Sequence, residues 1–115
     1  MNNIDLKTII AHEVMPGFRG KFLHSQNVTL AYWDIEEGAQ LPLHSHIHEQ
    51  TVNLLEGCFE LTIDGETRQI KAGSVVIIPP NVKHSGAAIT YCRILDIFYP
   101  IRKDYQTLSQ SQEDI

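Results

Sequence analysis

Short runs of alternating apolar and polar residues, separated by glycines, constrain the fold of this 115-residue chain more than any other feature. Phe59, Leu61 and Ile63 alternate with polar residues, which is the pattern of a half-buried β-strand. Asp64-Gly65 follows at once and is a two-residue hairpin signal. The apolar residues show no helical period over any useful length. Many short strands without a long helix predict an all-β sandwich or barrel.

Three of the six histidines lie close together, at His44, His46 and His48. Side chains alternate faces along an extended strand, so His44 and His46 would point the same way with Cα atoms roughly 6.6 Å apart. Two imidazoles placed side by side can bind one metal ion. Gln50 has the same parity but would lie roughly 20 Å from His44 on a straight strand. Gln50 can therefore join the site only if the chain turns around residues 47–49.

A second segment, residues 73–84, carries an apolar β-branched run between a glycine and a Pro-Pro-Asn turn, with a histidine just after the turn. Asn81 suits that turn because asparagine tolerates left-handed backbone angles better than most residues. The two segments together resemble the paired motifs of the cupin superfamily. The matching positions are Gly38, His44, His46, Gln50, Gly57, Gly73, Pro79, Asn81 and His84.

The resemblance implies a double-stranded β-helix, the cupin jelly-roll barrel, over residues 17–100. We expect residues 1–16 to form an N-terminal strand arm. Residues 101–115 would form a C-terminal tail, in which Arg102–Ser109 folds into one or two helical turns. Unpaired edge strands seek partners, so an exposed arm invites strand exchange between copies. A homodimer is therefore expected, in line with the family.

The resemblance also implies a metal site whose ligands are His44, His46, Gln50 and His84. The family usually has Glu where this chain has Gln50, so an anionic ligand is exchanged for a neutral amide. Such a site would accept divalent Mn, Fe, Ni, Co or Zn, and the affinity order does not identify the native ion. A structural zinc ion is the alternative, although closed zinc sites favour thiolates.

The remaining histidines have ordinary interpretations. His12 and His24 are expected to be surface or core imidazoles with hydrogen-bond partners. His48 is expected to line the mouth of the site or to face a neighbour. Glu49, of opposite parity to Gln50, should point away and is the fallback carboxylate. Trp33 could line a sugar site, although aromatic residues on barrel strands are more often part of the core.

Asp96 lies in a run in which both faces of the predicted strand are largely apolar. Burial of a carboxylate is costly unless the group is paired, hydrogen-bonded or protonated. An ion pair with Arg93 or Arg102 is one interpretation. A general acid or base with a raised pKa beside a metal-bound oxygen is the other.

The sequence H-S-H-x-H-E-Q and the late pattern D-x-F-x-P-x-R-x-D-[FY] resemble the small cupins of pectin and alginate breakdown. Those enzymes convert unsaturated monomeric uronates to linear or keto forms. The resemblance covers about Lys21 to Tyr105 and implies catalytic roles for Asp96, Phe98 and Arg102. Asp96 would move a proton, and Arg102 would bind the substrate carboxylate. The alternative for Arg102 is a solvated or salt-bridged surface cation, and the alternative for Phe98 is ordinary core packing. Position 47, where these relatives usually have Pro, is Ile here.

Other functions stay open, namely a metal-dependent dioxygenase and a non-catalytic cupin that binds a small metabolite. A net charge of −5 without a basic run argues against nucleic acid and anionic membranes as partners. The sequence shows no apolar leader and no stretch long enough to span a bilayer. Cys58 and Cys92 lack a close spacing and are interpreted as reduced thiols. We therefore expect a cytoplasmic protein that acts on a small-molecule substrate.

Overall fold

The structure is a computed structural model that describes residues 1–113, with side chains as far as Ser109. Within this range one short 3-10 helix, Leu6–Thr8, precedes ten strands, and the helix α1, Lys103–Glu113, follows them. The strands are β1 (His12–Met15), β2 (Phe18–His24), β3 (Thr29–Ile35), β4 (Gln40–His44), β5 (Glu49–Glu56), β6 (Cys58–Ile63), β7 (Glu66–Lys71), β8 (Val75–Ile78), β9 (His84–Ala88) and β10 (Cys92–Tyr99).

The strands form two sheets with antiparallel pairing. The larger sheet has the order β1-β2-β3-β10-β5-β8, and the smaller has the order β4-β9-β6-β7. Strands far apart in the chain are therefore neighbours, since β3 pairs with β10 and β4 pairs with β9. Two sheets joined by such crossing connections form a jelly roll. The predicted all-β double-stranded β-helix is confirmed.

The core lies between the sheets, where alternate side chains of each strand point inwards. In β10, Ile94, Asp96 and Phe98 are buried whereas Arg93 is exposed. Aromatic side chains are prominent in this core, namely Phe18, Phe22, Trp33, Phe59, Phe98 and Tyr105. Asp96 is thus a carboxylate on an otherwise apolar inner face, as the alternation in the sequence predicts.

The hairpin between β6 and β7 has the predicted position. Ile63 pairs with Glu66, so Asp64 and Gly65 are its two turn residues. Both have positive φ, at 49° and 81°, as a type I′ turn requires. Asn81 also has a positive φ, 66°, and this left-handed conformation confirms the role expected from its place after Pro-Pro.

The ends of the chain differ in detail from the expected arm and tail. Only residues 12–15 of the N-terminal arm form a strand, and β1 pairs with β2 of the same chain. The C-terminal helix extends to Glu113, four residues beyond the predicted end at Ser109. Tyr105 is buried and stacks on Phe22 with ring centroids 4.3 Å apart. Tertiary packing of this kind, more than local propensity, lengthens a helix. No helix within residues 1–113 is long and apolar enough to cross a membrane.

Candidate metal centre

Two imidazoles meet across the smaller sheet. His44, the last residue of β4, pairs directly with His84, the first residue of β9, and their ring centroids are 4.1 Å apart. A register shift between Leu41 and His44 places one extra residue on β4. Leu41 and His44 are three positions apart, so on a regular strand they would face opposite sides of the sheet. Because of the bulge, Leu41 and His44 line the same interior cavity.

His46 and Gln50 reach the site because the chain bends after β4. Residues 47 and 48 form the bend, and β5 begins at Glu49, so the turn that the sequence analysis required is present. The His46 ring lies 5.7 Å from the ring of His44 and 5.0 Å from that of His84. One nitrogen from each of these three histidines lies within 4.8 Å of the others. Gln50 is 6% exposed, and its Oε1 lies 3.1 Å from His46 Nε2.

Backbone carbonyl groups fix which nitrogen of each ring is free. His44 Nδ1 donates to the Pro42 carbonyl at 2.7 Å, and His84 Nδ1 donates to the Val82 carbonyl at 2.9 Å. His46 Nδ1 donates to the His48 carbonyl at 3.1 Å. A carbonyl can only accept, so Nδ1 carries the proton and Nε2 of a neutral ring keeps its lone pair. Such bonds orient ligand histidines in metal sites.

Burial disfavours the charged form of two of these imidazoles, those of His46 and His84. It lowers the pKa of His46 to about 4, and the positive charge of Arg102 acts in the same direction. Burial also lowers the pKa of His84, whose Nε2 is buried without a hydrogen-bond partner among the described residues. A buried lone pair without a partner destabilises the folded state unless a hydrogen-bond donor or a cation binds to it. The donor set of three imidazoles and one amide oxygen fits a divalent transition metal ion.

Asp96 lies on β10, on the same inner face as Gln50 of β5, one diagonal step away in the register. Its Oδ2 accepts a hydrogen bond from Trp33 Nε1 at 3.0 Å, and its Oδ1 is buried with no hydrogen-bond partner in the part of the chain that the structure describes. Burial raises the pKa of Asp96 to about 7, although Gln50, Trp33 and Arg102 act in the opposite direction. At neutral pH this carboxyl group can therefore both give and accept a proton.

The ion pairs suggested for Asp96 are not formed. Arg93 instead approaches Asp34 at 3.7 Å on the outer face. Arg102 pairs with Asp104, with Nη2 2.6 Å from Oδ2. The Trp33 indole thus takes the place of the expected cation. Sequence reasoning placed Trp33 in the core or against a sugar and missed this contact, which joins residues 63 positions apart.

Arg102 and Phe98 stand beside this carboxylate. Phe98 is buried, and its ring lies 5.7 Å from the ring of His46 and 4.8 Å from the Arg102 guanidinium. Both residues line one cavity together with His44, Gln50, His84 and Asp96. The cavity measures about 60 Å³, which is room for a few water molecules. It would therefore admit a small ligand or one end of a larger one.

The other singled-out residues lie around this centre. His48 is outside the three-histidine group, and within the described residues its Nδ1 is buried without a hydrogen-bond partner. It lines a groove of about 550 Å³ with Ile47 and Asp104. Glu49 is exposed. His24 has the ordinary role expected, because its ring bridges Thr29 and Ser109.

Comparison with known proteins agrees with this geometry. Residues 31–98 match the Cupin_2 model, described as a cupin domain. The pectin degradation protein KdgF of Dickeya dadantii is 29% identical over 96 residues, which cover 81% of this chain and 87% of that protein. An RmlC-like cupin from Shewanella frigidimarina superposes with a TM-score of 0.82 at 25% identity, covering 86% of this chain and 90% of the other. KdgF from Halomonas sp. gives a TM-score of 0.79 at 26% identity, with coverages of 84% and 90%.

The family match covers both histidine-bearing motifs and more than half of the chain. The solved structures superpose on the barrel over most of their own length. This chain belongs to the cupin family.

Proposed function

We propose that this cupin binds a divalent transition metal ion through His44, His46, Gln50 and His84 and isomerises a small unsaturated sugar acid. One observation supports this most directly: three imidazoles converge, and two of them, His44 and His84, line one cavity with the buried carboxyl group of Asp96. Similarity to two KdgF proteins, one described as a pectin degradation protein, supports the choice of substrate class.

When bound, a divalent ion at these ligands would act as a Lewis acid towards a substrate oxygen. The protein residues prepare the site for that role. Three carbonyl acceptors hold the imidazoles in one tautomer, so no rearrangement is needed when the ion enters. His46 Nε2 and Gln50 Oε1 are two acceptors 3.1 Å apart. A cation between them would satisfy both.

Asp96 is the proposed proton carrier. Conversion of a cyclic unsaturated uronate to its open-chain ketone breaks the bond between the anomeric carbon and the ring oxygen. The anomeric carbon becomes an aldehyde and the ring carbon that bore the oxygen becomes a ketone. One proton moves from the anomeric hydroxyl oxygen to the neighbouring alkene carbon, and the composition stays unchanged. The Trp33 bond occupies Oδ2, so Oδ1 is the oxygen that would accept the proton and return it. A pKa of about 7 suits a group that must do both near neutral pH.

Arg102 and Phe98 would hold the substrate. Arg102 is the cation of the cavity, and guanidinium groups bind carboxylates through paired hydrogen bonds. Phe98 offers an apolar wall between Arg102 and His46. The carboxylate end of a sugar acid would thus lie against Arg102, with its reacting carbons near Asp96.

Elemental analysis and an assay with unsaturated galacturonate or mannuronate monomers test this proposal. We expect about one metal ion per chain and loss of the absorbance of the conjugated double bond. Asp96→Asn should abolish turnover while metal content stays unchanged. Asp34→Asn makes the same chemical change on the outer face and should keep wild-type activity. Full activity of Asp96→Asn would refute the mechanism.

The same experiments separate the alternatives. Turnover without oxygen, in the zinc- or nickel-loaded protein, is expected for the isomerase. Activity that requires both iron and oxygen would indicate a dioxygenase. Tight binding of a small metabolite without turnover would indicate a non-catalytic cupin.

We also propose that the protein is a cytoplasmic homodimer. β1 is an edge strand of the six-stranded sheet, and edge strands can pair with another copy. Sedimentation equilibrium should give twice the chain mass, and deletion of residues 1–15, which removes β1, should weaken the association. Fractionation of cells would test the location.

A further inference from the structure

The guanidinium group of Arg102 is held from several directions at once. Asp104 accepts from its Nε at 3.1 Å and from its Nη2 at 2.6 Å. The Tyr105 ring centroid lies 4.0 Å from Cζ, and the Phe98 ring centroid lies 4.8 Å away. The Arg102 side chain is only 14% exposed, whereas that of Asp104 is 57% exposed. The late sequence pattern contains Asp104 and Tyr105, and the proposed function gives neither of them a role.

Among the side chains that the structure describes, these contacts leave one defined edge of the guanidinium group unused. A guanidinium has five N–H groups arranged as a planar fork. Asp104 occupies the edge formed by Nε and Nη2. The edge formed by Nη1 and the second N–H of Nη2 has the geometry that pairs with another carboxylate. Arg102 lines the interior cavity, while Asp104 lines the groove outside it. The edge that stays free would then be the one that serves a ligand in the cavity.

Helix α1 holds this arrangement against the barrel. The Arg102 backbone N–H donates to Thr29 Oγ1 at 2.9 Å, and Thr29 is fully buried. His24 contacts Thr29 Oγ1 at 2.9 Å and Ser109 Oγ at 3.2 Å. Tyr105 is packed on the aromatic core. The start of the helix is thus fixed to the larger sheet.

We propose that Asp104 and Tyr105 are positioning residues that aim the free edge of Arg102 into the cavity and make the site selective for a carboxylate. This inference rests on the proposed function for its ligand class, a sugar acid. The ion pair with Asp104 is close to neutral overall. Selectivity for a carboxylate then comes from the directed hydrogen bonds of the Arg102 guanidinium rather than from a net positive charge. Loss of Asp104 would free the guanidinium to rotate, although its charge would remain.

Kinetics of unsaturated uronate turnover give the first test. A misdirected binding group lowers rate strongly, so Asp104→Asn should reduce kcat/KM by about tenfold or more. Asp104→Glu keeps the carboxylate and should recover a large part of that loss. Glu66→Gln breaks an exposed pair of the same kind with Arg68, 3.1 Å long, and should have no effect. Asp104→Ser, with a short polar side chain in the first helical turn, is made in parallel in case Asp104→Asn fails to fold.

Calorimetry with saturated D-galacturonate and its uncharged methyl ester gives a test that does not need turnover. The wild type should prefer the acid, Arg102→Ala should lose that preference, and Asp104→Asn should lower it by about tenfold. If the wild type shows no turnover but the preference depends on Asp104, the proposed function fails and this inference stands. Equal affinity of the wild type for acid and ester would overturn the inference. The inference would also be overturned if Asp104→Asn kept both the wild-type preference for the acid over the ester and the wild-type kcat/KM.

Discussion

Replacement of Asp96 by Asn should stabilise the metal-free protein, by an amount that depends on pH. The folded state raises the pKa of this group from 3.8 to about 7. Between those values the folded state binds more protons than the unfolded state, so stability falls as pH rises. The pKa rises from 3.8 to about 7, and each tenfold change in proton affinity corresponds to about 1.4 kcal/mol. The free energy of unfolding should therefore be lower above pH 7 than at acid pH by at most about 4 kcal/mol.

The asparagine variant isolates this effect. Asn can still accept the hydrogen bond from Trp33 Nε1, so the two proteins should have similar unfolding free energies near pH 4. His46 and His84, with their lowered pKa values, favour the folded state as pH rises, in the opposite direction to Asp96. Their contribution cancels when wild type and variant are compared at the same pH.

Urea unfolding of chelator-treated wild type and Asp96→Asn at pH 4 and pH 8 measures the difference. We expect the variant to gain up to about 4 kcal/mol on the wild type at pH 8 and little at pH 4. The same variant should be inactive, which is a trade of activity for stability. An identical difference at both pH values would refute the buried, raised-pKa description of Asp96.

Three further outcomes follow from the geometry. His84→Ala should lose the metal in elemental analysis, because it removes a buried Nε2 that lacks a protein partner. Trp33→Phe removes the bond that lowers the pKa of Asp96, so the limb of the pH–rate profile that belongs to this group should move to higher pH. Gly57→Ala should lower the melting temperature far more than Gly38→Ala. Both glycines have positive φ, but an added Cβ at Gly57 overlaps a backbone oxygen, whereas at Gly38 it meets open space.

Local signals predicted the parts of the fold that depend on neighbouring residues. Alternation in residues 58–63 predicts a half-buried strand, and Asp64-Gly65 predicts the turn that follows it. The spacing of His44, His46 and Gln50 required a bend, which the chain makes at residues 47 and 48. These features arise from side-chain period and turn conformation, which a short segment carries within itself.

Contacts across strands were not predictable in the same way. The bulge in β4 brings His44 onto the same face as Leu41, and nothing in the segment indicates it. Asp96 pairs with Trp33 rather than with a cation. Arg102, expected to be either a substrate ligand or a surface cation, is largely buried and paired with Asp104.

The sequence by itself therefore determined the all-β architecture, the jelly-roll family and the set of histidines that come together. Only the tertiary structure decided which imidazole nitrogen is free, which group holds Asp96 and which edge of Arg102 stays open. The physical reason is that period and turn preference act between near neighbours. Tautomer, burial and ion pairing depend on atoms brought together from distant strands.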